Sequence, residues 1–307
     1  MGVSGEVVKI TASNREISSG SVVSTSFLID FHAWRLCLPL VRLLYGHPKA
    51  AQIWEKHLHN SMLKDGWTPI ENSNQCYYKD ATVAGENVRW VFGAYVDDCV
   101  TGGKHNRQAW KSIRKLVDTT ESEDISRLLA VIFTTSPESP TRTMLKQQMR
   151  DYCHRSVEKY LKLPGAKAIS KVDTPMIKHS AEQWQDPKLQ SPGRLGEHAA
   201  SLLMTLLYPA RMYRADIQFP VTFLARFITR WTVLCDMMVH RIFCYVHTTA
   251  DYCLVCTVGS GPQEIDSLQS FGYPDADHGD CPMTNRSTSG NAVMLVGHQT
   301  KALTHWC

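Results

Sequence analysis

A chain of 307 residues with 43% apolar side chains can bury one large core or two to three small ones, which excludes wholesale disorder. A net charge of +4 is too small to announce a nucleic-acid or membrane-surface partner by itself. Ten cysteines without a basic-then-apolar leader fit reduced thiols rather than a disulfide framework, and point to an intracellular address in cytoplasm or nucleus.

The first 25 residues are rich in Ser, Thr, Gly and Val with little periodicity, and 1–35 reads as an unassigned, disordered segment. The most apolar window, 27–44, is interrupted by Asp30, Arg35 and Arg42, so no membrane span is expected. Residues 48–66 read as a helix: Pro48 suits its first turn, Ile53, Trp54, His57, Leu58 and Met62 recur at helical spacing, and Gly66 stops it. A strand "QCYYKD" follows, then a polar turn at Ala84–Asn87. Strands over 88–95 and 99–101 are joined at Val96, Asp97 and Asp98. Residues 104–118 form a helical pattern with Trp110, Ile113 and Val117 on one side. "ISRLLAVIF" reads as one strand ending at the turn-rich Ser136-Pro137-Glu138-Ser139-Pro140.

Residues 144–163 are expected to form an amphipathic helix closed by Pro164-Gly165, and 173–196 a polar linker. Helical patterns cover 199–213, 219–227 and 234–248. "DYCLVCTVG" and "IDSLQSFGYPDADHGD" read as strands separated by a Gly-Pro turn.

The side chains that carry chemistry are few. Asp97 and Asp98 repel each other, a poor choice for stability and a good one for a hard divalent cation, which takes oxygen ligands and keeps several waters. A solvated turn explains a lone Asp-Asp pair more often. Between 142 and 171, Arg142, Lys146, Arg150, Arg155, Lys159, Lys162, Lys167 and Lys171 face only Asp151 and Glu158, a stretch suited to a phosphate backbone, though a solvated helix face is the simpler account. Cys253 and Cys256 lack a second pair at zinc spacing. His47, His57 and His59 have no matching carboxylate or thiol. Trp54, Trp90 and Trp110 are most simply core, and Arg211, Arg214 and Asp216 most simply helix-end ion pairing.

Several motifs in order resemble the reverse transcriptase and ribonuclease H region of copia-type LTR retrotransposon polyproteins. They are "RLLYGHPKAAQIWEKHL", "YVDD", "SVEKYL…VDTP", "LLYPARMYRADIQFPVTFLARF", "HRIFCYVHTTADYCLV" and "YPDADHGDCPMTNRSTSG". The resemblance covers residue 36 to the end. It implies an α+β fold: a partial palm over 36–140 (an antiparallel sheet with the YVDD hairpin plus helices), a helical thumb or connection over 141–265, and an incomplete ribonuclease H-like sheet over 266–307.

By the same resemblance Asp97 and Asp98 are palm metal ligands for Mg2+ or Mn2+. Tyr95 lies beside the primer terminus, Tyr45 and Gly46 border the incoming dNTP, and Asp275 is the first metal ligand of the ribonuclease H site. Lys146, Arg150, Arg155 and Lys159 would contact an RNA or DNA template-primer. "DADHGD" at 275–280 also reads as a plain acidic turn.

Departures bear on activity. The family's first palm carboxylate, in "DVxxAFL", has no counterpart here; Asp30 in "FLIDFHAW" is the one candidate, with the wrong surroundings and spacing. Ala130 stands where the family has Gly in "FLG", and Ala51 where it has Pro. The chain is therefore expected to be a truncated polymerase fragment, inactive alone. The alternatives are a non-catalytic nucleic-acid-binding remnant using 142–171, or a reading frame that does not fold stably.

Overall fold

The computed structural model describes residues 47–279 and 286–307, together with the backbone of Gly5–Lys9. Asp30, Tyr45 and Gly46 lie outside the described residues. The chain divides into two compact units, Val3–Ile125 and Ser126–Cys307. Both mix α-helices with an antiparallel sheet.

The first unit contains β1 (Gly5–Lys9), α1 (Ala50–Lys64), β2 (Thr68–Pro69), β3 (Cys76–Val83), β4 (Glu86–Tyr95), β5 (Asp98–Gly102), α2 (Asn106–Ile113) and β6 (Glu123–Asp124). Its described strands form one antiparallel sheet in the order β2-β3-β4-β5-β1-β6. Period-two alternation on β4 buries Val88, Trp90 and Phe92 and turns Asn87, Arg89 and Val91 outward. Onto that face α1 lays Leu58 and Met62, and α2 lays Ala109, Trp110 and Ile113. Phe92 meets Trp67 and Trp110 edge-on at 6.0 and 6.4 Å, a favoured aromatic geometry. Ala84 and Gly85, at φ +52° and +81°, close β3 onto β4 with the left-handed turn that matches strand twist. Gly5–Lys9, within the stretch that the sequence suggests is disordered, pairs with β5, placing Val8 opposite Cys99 and Lys9 opposite Asp98. Without β1 that side of β5 would be an open edge.

The second unit begins with β7 (Arg127–Leu128), β8 (Val131–Ser139), β9 (Arg142–Gln148), α3 (Arg150–Leu161) and α4 (Ala181–Gln185). It continues with α5 (Ala199–Met212), α6 (Ala215–Ala225), α7 (Val233–Thr248), β10 (Leu254–Gly259), α8 (Pro262–Ser267), β11 (Gln269–Ala276), β12 (Ser289–Val296) and β13 (Lys301–Trp306). The strand order is β11-β12-β13-β10-β9-β8-β7. Its core joins α3, α5, α6 and α7 through Tyr160, Leu202, Leu206, Ile217, Leu234, Val239, Ile242 and Phe243, with Tyr160 stacked on Phe243 at 4.5 Å. Residues 173–196 carry α4 and lay Met176, Trp184, Leu189 and Leu195 on this core.

Three expectations are corrected here. The helix over 144–163 starts only at Arg150, because Arg142–Gln148 is claimed by ladders to β8 on one side and β10 on the other. "ISRLLAVIF" is not one strand: Leu129 and Ala130, at φ +49° and +62°, fold it into the β7–β8 hairpin, and β8 then runs on through Pro137 with a register shift. The Gly-Pro turn opens a short helix, α8, with Pro262 in its first turn. On α8, Glu264 is 6% exposed and accepts the backbone N–H groups of Gln299 and Thr300 at 3.0 and 2.7 Å, fixing the β12–β13 turn. A Cβ on Gly259 would stand 2.5 Å from Glu264 Cδ, and one on Gly297 would overlap Glu264 Oε1.

Every described cysteine is free. Among the described residues no helix is long and apolar enough to cross a membrane.

Candidate functional site

The β4–β5 hairpin builds the site. Its strands register Ala94 with Cys99 and Tyr95 with Asp98, leaving Val96 and Asp97 as a two-residue turn. Val96 has φ +59°, whereas Asp97 has no positive φ, the sign pattern of a type II′ turn. Glycine is the usual occupant of that first position. A left-handed β-branched residue costs about 1–2 kcal/mol there, and such strain persists only where neighbouring contacts over-determine it. The Val96 side chain is 59% exposed, so its own packing is not what compensates. The indole N–H of Trp54, on α1, donates to the Val96 carbonyl at 3.2 Å.

Tyr95 is exposed beside the turn, Asp97 is exposed and Asp98 half-buried. Their charge registers on a neighbour. Burial first, then Asp98 and Asp97, push the Cys99 thiol up to about 12. Two adjacent carboxylates are hard oxygen donors, and the chemistry of that pair fits Mg2+ or Mn2+ with the remaining positions taken by water or phosphate. Among the described residues no group of three or more His, Cys, Asp and Glu side chains comes together.

Asp275 belongs to the other unit. It sits on β11 opposite Gly290, is exposed, and accepts the Ala276 N–H at 2.9 Å. Asp277 accepts the Thr288 N–H, tying the end of β11 to the start of β12. Both contacts are to backbone N–H groups of this same hairpin.

Of the basic residues, Lys146 is exposed on β9. Arg150 pairs with Asp251 at 2.9 Å, and Arg142 with Glu138 at 2.8 Å. Lys159 donates to Ser201 and Thr205 at 3.0 and 3.3 Å. Arg155, Lys159 and Lys162 are all exposed and follow one another at helical spacing along α3 and its end.

Arg214 is far more than a helix-end ion pair. Its side chain is 2% exposed, and it grips both Asp216 oxygens at 2.8 Å while donating to the carbonyl and hydroxyl of Thr249 at 3.0 and 2.7 Å. Tyr245 adds a hydroxyl bond to Asp216 at 2.9 Å. Burial alone would raise the Asp216 carboxyl, but the Arg214 bonds and charge outweigh it and hold the group below the usual carboxylate range. Every polar atom here is engaged within the protein, so the cluster is structural.

Two features have no local signal in the sequence. The Trp54 contact with Val96 spans 42 positions, and no periodicity announces it. Arg214 is ringed by Tyr213, Tyr245 and Tyr252, whose rings lie 6.0, 5.4 and 5.6 Å from its guanidinium, and their meeting is tertiary.

The chain is a distant relative of a Ty5-1 transposon protein of Saccharomyces cerevisiae, 22% identical over 257 residues that make up 83% of this chain and 77% of that protein. No family model matches the chain, and no solved structure matches it.

Proposed function

We propose that the β4–β5 tip is the divalent-cation end of a nucleotidyl-transfer site of reverse-transcriptase type, inherited from a retrotransposon polymerase. The supporting observation is the Asp97–Asp98 pair at a strained two-residue turn, reinforced by the similarity to a transposon protein. Asp97 and Asp98 would be the oxygen ligands, and Tyr95 would face the primer end. A bound Mg2+ or Mn2+ supplies charge neutralisation for the attacking and leaving oxygens of phosphoryl transfer. The protein's own contribution is to hold two negative charges at a fixed backbone geometry and keep them accessible to solvent and phosphate.

The sequence carries no counterpart of the first palm carboxylate motif that the resemblance implies, so primer extension is not expected from this chain alone. Manganese binding, followed by the loss of the free-ion electron paramagnetic resonance signal, tests the assignment. Wild type should bind and D97N/D98N should not. Equal binding by the two would overturn it. Primer extension that vanishes in D97N would overturn the expected inactivity while upholding the site.

A second reading rests on the exposed row Arg155, Lys159 and Lys162: a nucleic-acid-binding surface that needs no catalysis. It predicts duplex affinity that falls with salt and a slope reduced by about one on R155Q. No binding at low salt would remove it.

A further inference from the structure

We infer that Trp54 is a positioning residue for the carboxylate pair, its indole N–H setting the peptide plane that leads into Asp97. The inference rests on the cation-site reading of the β4–β5 tip and assigns that site a part from another element.

Val96 is the residue that needs holding. It is β-branched, left-handed at φ +59° and 59% exposed, so neither its intrinsic preference nor its side-chain packing keeps it there. The ladder fixes the residues on either side, Tyr95 against Asp98, but leaves the Val96–Asp97 peptide free of a strand partner. The Val96 carbonyl belongs to that peptide, and Trp54 Nε1 reaches it at 3.2 Å. Fixing the carbonyl fixes the plane from which Asp97 departs, and with it the direction in which the carboxylate pair begins.

The donor is itself anchored. Trp54 lies one and two helical turns before Leu58 and Met62, both fully buried, and its own ring packs partly buried against the same cluster. A rigid helix therefore presents the indole N–H, and the strained turn receives it. An ordinary core tryptophan would need only the ring; the hydrogen bond to a left-handed carbonyl is the additional observation.

Two properties separate positioning from packing. W54F keeps an aromatic ring and loses the donor, while V96G makes the left-handed turn easy and removes the need for a hold. Backbone amide exchange at Tyr95 and Asp98, the ladder pair that closes the turn, should accelerate about tenfold in W54F, with amides of β3 and α2 unchanged. In a V96G background the same substitution should change those amides by less than about twofold, a coupling that lost packing would not give. Manganese affinity should fall about five- to tenfold in W54F. Unchanged exchange at the tip, equal loosening of β3 and α2, or an undiminished effect in V96G would each overturn the inference.

Should W54F not fold, the indole proton of Trp54 in the wild-type protein decides. Slow exchange with solvent supports the bond, and exchange at the rate of a free indole overturns it. If wild type binds no manganese, the cation-site reading fails by itself, while the exchange measurements still settle whether Trp54 holds the turn.

Discussion

Asp216, at the start of α6, and the Asp97–Asp98 pair, at the β4–β5 tip, are carboxylates in opposite situations. Asp216 is clamped by a guanidinium that is 2% exposed and capped by a tyrosine hydroxyl, so its charge is consumed within the fold. Asp97 and Asp98 stand side by side at a strained turn, and their charge is felt by the Cys99 thiol next in sequence. The Asp216 charge is neutralised by side chains of the fold, whereas Asp97 and Asp98 face each other's charge at an open turn. The contrast separates the two regions better than strain does. The β7–β8 turn is also left-handed, at Leu129 and Ala130, and it too has its first carbonyl held, by the Tyr208 hydroxyl at 2.7 Å, yet it carries no acidic residue.

The contrast breaks if neutralising the two kinds of carboxylate has the same effect. D216N should destabilise the second unit by about 3 kcal/mol, near the lower end for a broken buried pair because Asp216 is 34% exposed. Thermal or urea unfolding would show it. The same pair predicts a pH dependence. Because the folded carboxyl lies below its ordinary 3.8, its contribution is present above that value and lost as pH falls through the folded one. The melting temperature of wild type should therefore drop below about pH 4, and that acid loss should be smaller in D216N.

A130G should stabilise the β7–β8 hairpin by about 1 kcal/mol, since glycine occupies a left-handed position without steric cost. No gain on thermal unfolding would mean that neighbouring contacts already absorb the strain. D97N/D98N should move stability least, by within about 0.5 kcal/mol and in the stabilising direction if repulsion dominates, while abolishing manganese binding. A loss as large as that of D216N would make the tip a structural element.

Much of the first unit was legible because its signals are local. "NVRWVFGAYVDDCV" sets two short apolar, β-branched and aromatic runs on either side of a polar turn, and α1 repeats its apolar residues at helical spacing. Ala130 takes a positive φ of +62° with nothing in its own side chain to favour it, so no local signal announces the β7–β8 turn. What escaped was decided by distant partners. Residues 142–148 lie among apolar positions that also fit a helix, and only pairing with β8 and β10 selects a strand. The stretch Gly5–Lys9 carries no period, and becomes β1 because β5 has an edge to offer. The Asp97–Asp98 pair could be read from the tetrapeptide, but its hold by Trp54 could not.

Positions 259, 264 and 297 have a shared fate that follows from the crowding around Glu264. With that carboxylate in place a methyl group at either glycine forces the Glu264 side chain to shift away from the backbone it holds. A shortened residue 264 would in turn strip Gln299 and Thr300 of their acceptor. In a lineage accumulating random substitutions, these three should stay constant together or change together, and the first of them to mutate would set the order for the others.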